Sequence, residues 1–413
     1  VRVSFVTKTP SIRVTETPIA VPATLGRHGL SEVPEEHEEQ RGQVHLDILI
    51  NGKFLRSSLA TYITRHAVST EQVLELEYVP AVREPIEEGS DEQPDWVSCV
   101  VSGGERSSFF VCGSYDAAVR VYDGSCKVIA SAKAHKLPVT CLAIIEHEPM
   151  LCVSGSKDET VRLWSVDPAT EGLCALARGL GHAASVSASP FIAVITGTGT
   201  GPLETASGDW DGHVCLWHMS KGLEVADGPK RRKTDKGAAA ALVEVTPEAS
   251  FTAHGQTIGG LGWLGASLVS GSWDRSLKTW DAERQDCTKT INTAKPVTCL
   301  STNERAGLVV TGHPDGKARV WDRRAEAESV HVAALAGHKQ WITGVSWVPD
   351  SDHLLMSCCH GGEVKLWDIR STTPLHSIKA HTDKALGICW HAGLLISVGA
   401  DGGVKAFSQK DTR

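Results

Sequence analysis

A histidine paired with an aspartate can act as a general acid and base, because the carboxylate orients the ring and raises its basicity. The sequence offers four such pairs at 20 to 29 residues: His135 with Asp158, His182 with Asp211, His254 with Asp274, and His381 with Asp401. A fifth histidine, His338, stands in the same pattern but meets Gly361 where the others meet Asp. Each follows a small residue (Ala134, Gly181, Ala253, Gly337, Ala380) and precedes a short apolar stretch. An active site occurs once in a chain, whereas these pairs recur along its length. The expected role is therefore structural, with the carboxylate accepting from the loop histidine and nearby hydroxyls to tie a turn in place.

The unit that carries the pairs is a turn followed by a short alternating strand that ends on an aromatic. Seven copies hold the turn position six residues before the aromatic: Asp116/Tyr122, Asp158/Trp164, Asp211/Trp217, Asp274/Trp280, Asp315/Trp321, Gly361/Trp367 and Asp401/Phe407. A repeat of roughly 40 to 45 residues is one propeller blade. Trp164 to Trp217 spans 53 residues and Trp217 to Trp280 spans 63, so extra chain enters around blade three, with an insertion at about 220–250. That insertion shows no apolar period and reads as a surface loop. Blade five has Ala294-Lys295 in place of its histidine and blade six lacks the Asp, so these two should be tied less tightly.

The residue before the turn position varies: Tyr115, Lys157, Trp210, Trp273, Pro314, His360 and Ala400. A turn between strands lies on the rim of a propeller face, where an aromatic is a binding anchor. Tyr115, Trp210 and Trp273 are the expected partner surface.

Other chemistry is sparse. The 12 cysteines form no CxxC pair and mostly fall inside strands, as small buried hydrophobes in a reducing compartment do. Adjacent Cys358 and Cys359 point to opposite strand faces. Gly197-Thr198-Gly199-Thr200-Gly201 lacks the Lys-Ser/Thr of a phosphate loop. No nucleophile elbow, HExxH or paired-carboxylate site is present, so no enzyme is expected. Lys230-Arg231-Arg232-Lys233 suits a nuclear import signal or an RNA contact. A net charge of −8, from 41 basic and 49 acidic residues, argues against RNA binding by the whole surface. No run approaches the ~18 apolar residues of a membrane span, and the expected compartment is cytosolic or nuclear.

The expected architecture is mainly β: a small α+β domain over 1–79, a linker over 80–94 that could supply the closing outer strand of blade seven, and a seven-bladed propeller over 95–413. In the first domain Val1–Thr7 alternates as a strand, Ile12–Val14 begins its return, and Val44–Ile50 is a third strand. Asn51-Gly52 marks a hairpin with Lys53–Arg56, Ser58 caps a helix over Leu59–His66, and Gln72–Tyr78 is the last strand. This order is that of a ubiquitin-like fold. Its first helix is poorly encoded, since Pro34 and the acidic Glu35–Glu39 give no apolar face. Glu84–Asp95 is acidic linker. The chain ends after the third strand of blade seven, so something N-terminal must pair with it, and Tyr78–Arg83 is the expected strand.

Gly-His, then Asp, then Trp-Asp (Trp280-Asp281, Trp321-Asp322, Trp367-Asp368) resembles the WD-repeat propellers. In that family the His and Asp are a structural network, and the residue beside the Asp holds partners. Trp321-Asp322-Arg323-Arg324 and Trp367-Asp368-Ile369-Arg370 also resemble the WDxR boxes of substrate receptors for cullin ubiquitin ligases, the alternative function. Thr17–Pro22, Leu30-Ser31-Glu32, Leu49–Leu59, Glu75–Tyr78 and Asp95-Trp96-Val97-Ser98 resemble the Notchless-like N-terminal (NLE) domain and its junction. The arrangement is similar to the Ytm-type WD-repeat subunits of the PeBoW complex with Pescadillo and the Bop protein. That resemblance implies an adaptor in large (60S) ribosomal subunit assembly and pre-rRNA processing, in the nucleolus and nucleoplasm. It implies that the propeller binds a Bop-type propeller. It implies further that Glu71, in Ser69-Thr70-Glu71-Gln72, reaches the Mg²⁺ of the ATPase midasin; the chain itself would carry no cofactor.

Overall fold

The computed structural model describes residues 1–7, 17–35, 46–67, 73–103, 107–145, 150–167, 172–183, 204–218, 242–324 and 331–409. The chain divides into two units, Val1–Glu84 and Pro85–Arg413.

The first unit is one mixed sheet with two helices, in the order β1 (Arg2–Val6), β2 (Ile19–Ala20), α1 (Arg27–Glu35), β3 (Leu46–Ile50), β4 (Lys53–Phe54), α2 (Leu59–His66) and β5 (Leu74–Pro80). The sheet runs β2-β1-β5-β3-β4, with β1 and β5 parallel at its centre. That order is ubiquitin-like. Val3, Phe5, Ile48, Ile50, Leu76 and Tyr78 point inward against Leu30 and Leu59 of the helices. Asn51 and Gly52 both take positive φ, as their hairpin turn demands. α2 begins at its cap: Ser58 Oγ accepts from the Thr61 N–H at 3.3 Å. The poorly encoded first helix is present over nine residues, and Leu30 anchors it with no exposed surface. Ile12–Val14, Glu36–Glu39 and Glu71 lie outside the described residues.

The second unit is a ring of seven sheets. Blade one, for example, runs outward through Val97–Ser102, Phe109–Ser114, Ala118–Asp123 and Val128–Lys133. Among the described residues, inner strands of adjacent blades pack side by side from blade four round to blade two. A hydroxyl at the start of an inner strand often ties its blade to the next. Ser98 Oγ donates to the Val139 carbonyl, Thr298 to Ile342 and Thr343 to Ala385, each at 2.6 Å.

Two expectations are corrected here. The ring is closed by β6 (Ile86–Glu92), not by Tyr78–Arg83: β6 pairs antiparallel with Gly403–Ser408 in blade seven. Tyr78 is fully buried in the first unit's core and cannot serve. The closing strand hid inside the acidic stretch because an outer strand needs no apolar alternation. Its acids are used instead: Asp91 accepts from the Tyr122 hydroxyl of blade one at 3.2 Å, and Glu88 from Ser408 Oγ. The insertion is also not all loop. Val243–Val245 adds a fifth, parallel strand outside Gly172–Leu180 of blade two, and Ala249–Thr252 is the outer strand of blade three. Three residues are too few to show a period. Gly197–Gly201 and Lys230–Lys233 lie outside the described residues.

Candidate functional site

The histidines and aspartates bond to each other inside their own blades. In blade two, His135 Nδ1 faces Asp158 at 3.1 Å and Nε2 meets Ser154 Oγ at 2.7 Å, while Trp164 Nε1 donates to the same Ser154 oxygen at 2.7 Å. Blade four repeats this with His254, Asp274, Ser270 and Trp280. Blade seven keeps His381, Asp401 and Ser397, with Phe407 in place of the indole. All these histidine side chains have no exposed surface, so no substrate reaches them. Burial pushes the His135, His254 and His381 imidazoles down against the pull of their aspartates. Burial alone would raise the Asp158 carboxyl, but hydrogen bonds from His135 and Thr160 hold it well below the carboxylate range. A neutral ring donating to a carboxylate satisfies both directions.

Blade three corrects one assignment. His182 bonds Asp209 at 3.0 Å, not Asp211; the Asp211 N–H donates to Asp209 Oδ1. Asp209 stands two residues before the turn position, where blades two and four hold Ser156 and Ser272. His182 is pushed up to about 9: burial opposes this, but the bond to Asp209 prevails, with Cys215 adding to it.

Blade five, expected to be loose, is tied by another histidine from that same position. His313 Nε2 meets Thr311 Oγ1 at 2.8 Å and Nδ1 donates to the Pro296 carbonyl at 2.9 Å. Trp321 Nε1 completes the set on Thr311. In blade six, His338 Nδ1 is buried and has no hydrogen-bond partner among the described residues.

The varying rim residues are positioned by one recurring bond. The N–H before the turn position donates to the carbonyl before the inner strand of the same blade: Tyr115 to Trp96, Lys157 to Pro138, Trp273 to Thr257, His360 to Trp341 and Ala400 to Lys384, at 2.8–3.1 Å. The bond sets two variable side chains beside each other on the rim. Trp96 packs on Tyr115 at 5.3 Å between ring centroids, and Trp341 stacks on His360 at 5.8 Å and meets Trp273 edge-on at 6.1 Å. Tyr115, Trp273, Trp341 and His360 rim a cavity of about 250 Å³. Below them the hydroxyls of Ser98, Thr298 and Thr343 carry the bonds between blades. Trp210 and Trp341 are the most exposed of these aromatics, at 45% and 44%.

Of the three expected anchors, Tyr115 and Trp273 meet at this cavity, and Trp210 is exposed on blade three outside its lining. Trp96 and Trp341 were missed. Comparing the residue before each inner strand (Trp96, Pro138, Thr257, Pro296, Trp341, Lys384) would have shown a second variable position. Lys384 lies 5.7 Å over Trp96 and Lys157 4.7 Å over Tyr115, so cations already cover that side. An aromatic hollow of this kind has the size and apolar lining to take an apolar or planar side chain. The WDxR arginines bond within their own blades: Arg370 grips Asp368 at 2.7 Å, and the Arg324 guanidinium donates to the Arg305 carbonyl at 3.5 Å.

Comparison with known proteins agrees with both units. The NLE (NUC135) domain model matches residues 1–63. The WD domain, G-beta repeat model matches residues 126–165 and 245–281, and that of the Nucleolar protein 10-like, N-terminal domain matches residues 266–410. The ribosome biogenesis protein WDR12 homolog of Chlamydomonas reinhardtii is 35% identical over 97% of this chain and 96% of its own. That of Oryza sativa subsp. japonica is 33% identical over 97% and 94%, and that of Dictyostelium discoideum 34% over 92% and 86%. A domain with the ubiquitin-like strand order before a seven-bladed ring, shared along nearly the whole length, places the chain in the WDR12 ribosome biogenesis family.

Proposed function

We propose that the chain is a non-enzymatic adaptor of large ribosomal subunit assembly and pre-rRNA processing, working in the nucleolus and nucleoplasm. The observation that carries this is kinship across 97% of the chain with a relative named for ribosome biogenesis. The buried His–Asp pairs support a scaffold rather than an enzyme. The aromatic hollow supports a protein partner, read as the Bop-type propeller, with Pescadillo in the same complex. Glu71 is read as the ligand that the first unit offers to the Mg²⁺ of midasin, because an octahedral oxygen site one ligand short accepts a carboxylate.

Two binding assays test this with the full chain. Trp341→Ala and Trp273→Ala should each weaken capture of a purified Bop-type propeller, by about 2 kcal/mol for a buried aromatic anchor. Undiminished capture by both would remove the hollow from the interface. Glu71→Ala should abolish Mg²⁺-dependent binding to the midasin adhesion domain, and Glu71→Asp should weaken it because the shorter arm under-reaches. Unchanged binding of Glu71→Ala sinks that contact. Salt-sensitive RNA capture lost on replacing Lys230–Lys233 would instead identify an RNA-binding factor.

A further inference from the structure

Blade six departs from blades two and four at three positions, and all three departures face one atom. In blades two and four, histidine Nδ1 is held by the turn aspartate and touched by a hydroxyl two residues later: Thr160 Oγ1 at 3.3 Å from His135 and Ser276 Oγ at 3.0 Å from His254. In blade six the aspartate is Gly361 and the hydroxyl residue is Glu363. The serine of blades two and four that accepts the turn N–H (Ser156, Ser272) is Cys359. His338 Nδ1, Cys359 Sγ and a Glu363 oxygen lie within 4.8 Å of one another, with His338 Nδ1 4.0 Å from Glu363 Oε2.

We infer that His338, Cys359 and Glu363 form a divalent-metal site of the zinc class on blade six. The His338 side chain has no exposed surface and its Nδ1 has no hydrogen-bond partner among the described residues, so a buried nitrogen is aimed into the cluster. Its other nitrogen, Nε2, meets Ser357 Oγ at 2.7 Å, which fixes the ring plane as a bound imidazole needs. Imidazole, thiolate and carboxylate are a zinc donor set, and three protein ligands leave a fourth position for water. Tetrahedral bonds of roughly 2.0–2.3 Å separate ligand atoms by roughly 3.5 Å, so atoms that lie within 4.8 Å of one another have to draw in by about an ångström at the widest pair.

The charges are consistent with this. A thiolate and a carboxylate neutralise a dication. Lys365, 3.2 Å from Glu363 Oε2 and held by Ser377 Oγ at 2.9 Å, then serves as the outer partner that orients the carboxylate. The Glu363 side chain is 40% exposed, which gives the ion a way in. Cys358 takes no part: its thiol faces Thr343 and burial pushes it up to about 12.

The test uses the full chain, stripped with a chelator and titrated with Co²⁺ and then Zn²⁺. The expected result is a thiolate-to-cobalt charge-transfer absorption that saturates at about one equivalent and is displaced by zinc. Cys359→Ser should lose it, Glu363→Gln should weaken zinc binding by more than about tenfold, and replacing the exposed Cys174 and Cys287 should change nothing. Gly361→Asp decides the matter if Cys359→Ser misfolds. It restores the aspartate that the other blades carry, so the chain should fold, bond His338 Nδ1 and lose the absorption and any zinc-induced rise in Tm. Absence of the band in the native chain overturns the proposal, since a buried water would then serve Nδ1. A band that survives both Cys359→Ser and Gly361→Asp overturns it equally.

Discussion

Blade four and blade six are built from the same repeat, and they use their histidines in opposite ways. In blade four, His254 is held at both ring nitrogens, by Asp274 at 2.9 Å and Ser270 at 2.7 Å. In blade six, His338 keeps only the serine bond and its second nitrogen is left over. A residue that recurs with all its partners is structure. The same residue stripped of one partner is chemistry waiting for a ligand. The difference lies in three side chains on one turn, not in the backbone.

The comparison can be broken most directly by stability. His254→Ala should cost about 2–4 kcal/mol, because it leaves the Ser270 hydroxyl and the Asp274 carboxylate each one bond short in a largely buried site. His338→Ala, measured without metal, should cost only about 1–2 kcal/mol, since one bond is lost. Chemical denaturation of the two variants checks the order, and an equal or reversed order removes the distinction between the blades.

A pH scan is next in size. His135, His254, His381 and most of all His313, pushed to about 4 by burial and by the nearby Arg319 charge, are neutral in the folded chain. Unfolded histidines titrate near ~6.5, so the stability these rings contribute is full above that pH and is lost as pH falls toward 4. His182 runs the other way: raised to about 9, its contribution is full below ~6.5 and is lost as pH rises through about 9. Tm should therefore fall clearly between pH 7 and 5, and more gently above pH 8. A flat profile below pH 6.5 would mean that the rings are protonated in place.

Gly361→Asp should stabilise the metal-free chain by about 1 kcal/mol, by giving Nδ1 the bond it lacks. Its Cβ would sit 3.4 Å from Cys359 Sγ, tight enough to limit the gain. The smallest effect belongs to the rim. Trp210→Ala, at a side chain 45% exposed, should leave Tm within about 0.5 kcal/mol equivalent.

How much of this was legible depended on which physical signal each residue carries. The six-residue offset revealed seven blades because turn and aromatic are each fixed by bonds within a blade. The Ser58 cap and Leu59–His66 helix were readable because capping is local. Asp211 was mistaken for Asp209 because two aspartates two residues apart both suit the pattern, and only the direction of the ring separates them. β6 was missed because an outer strand takes its register from a partner more than 300 residues away, with no apolar alternation of its own: Glu88 and Ser408 are 320 positions apart. Trp341 and Cys359 escaped for a related reason. Each is ordinary by type and becomes notable only when its position is compared from blade to blade.

That distant pairing has a kinetic consequence. β6 leaves the ribosome ahead of all the blades, and its partner strand Gly403–Ser408 follows it by more than 300 residues. Until then β6 has no third strand to lie against, and the ring keeps an open edge throughout synthesis. Pairing so remote in sequence makes folding slow and the unfinished chain prone to join another. A break in translation just before Gly403 therefore leaves β6 unpaired and the seam unsealed, which marks the whole molecule for failure rather than one blade.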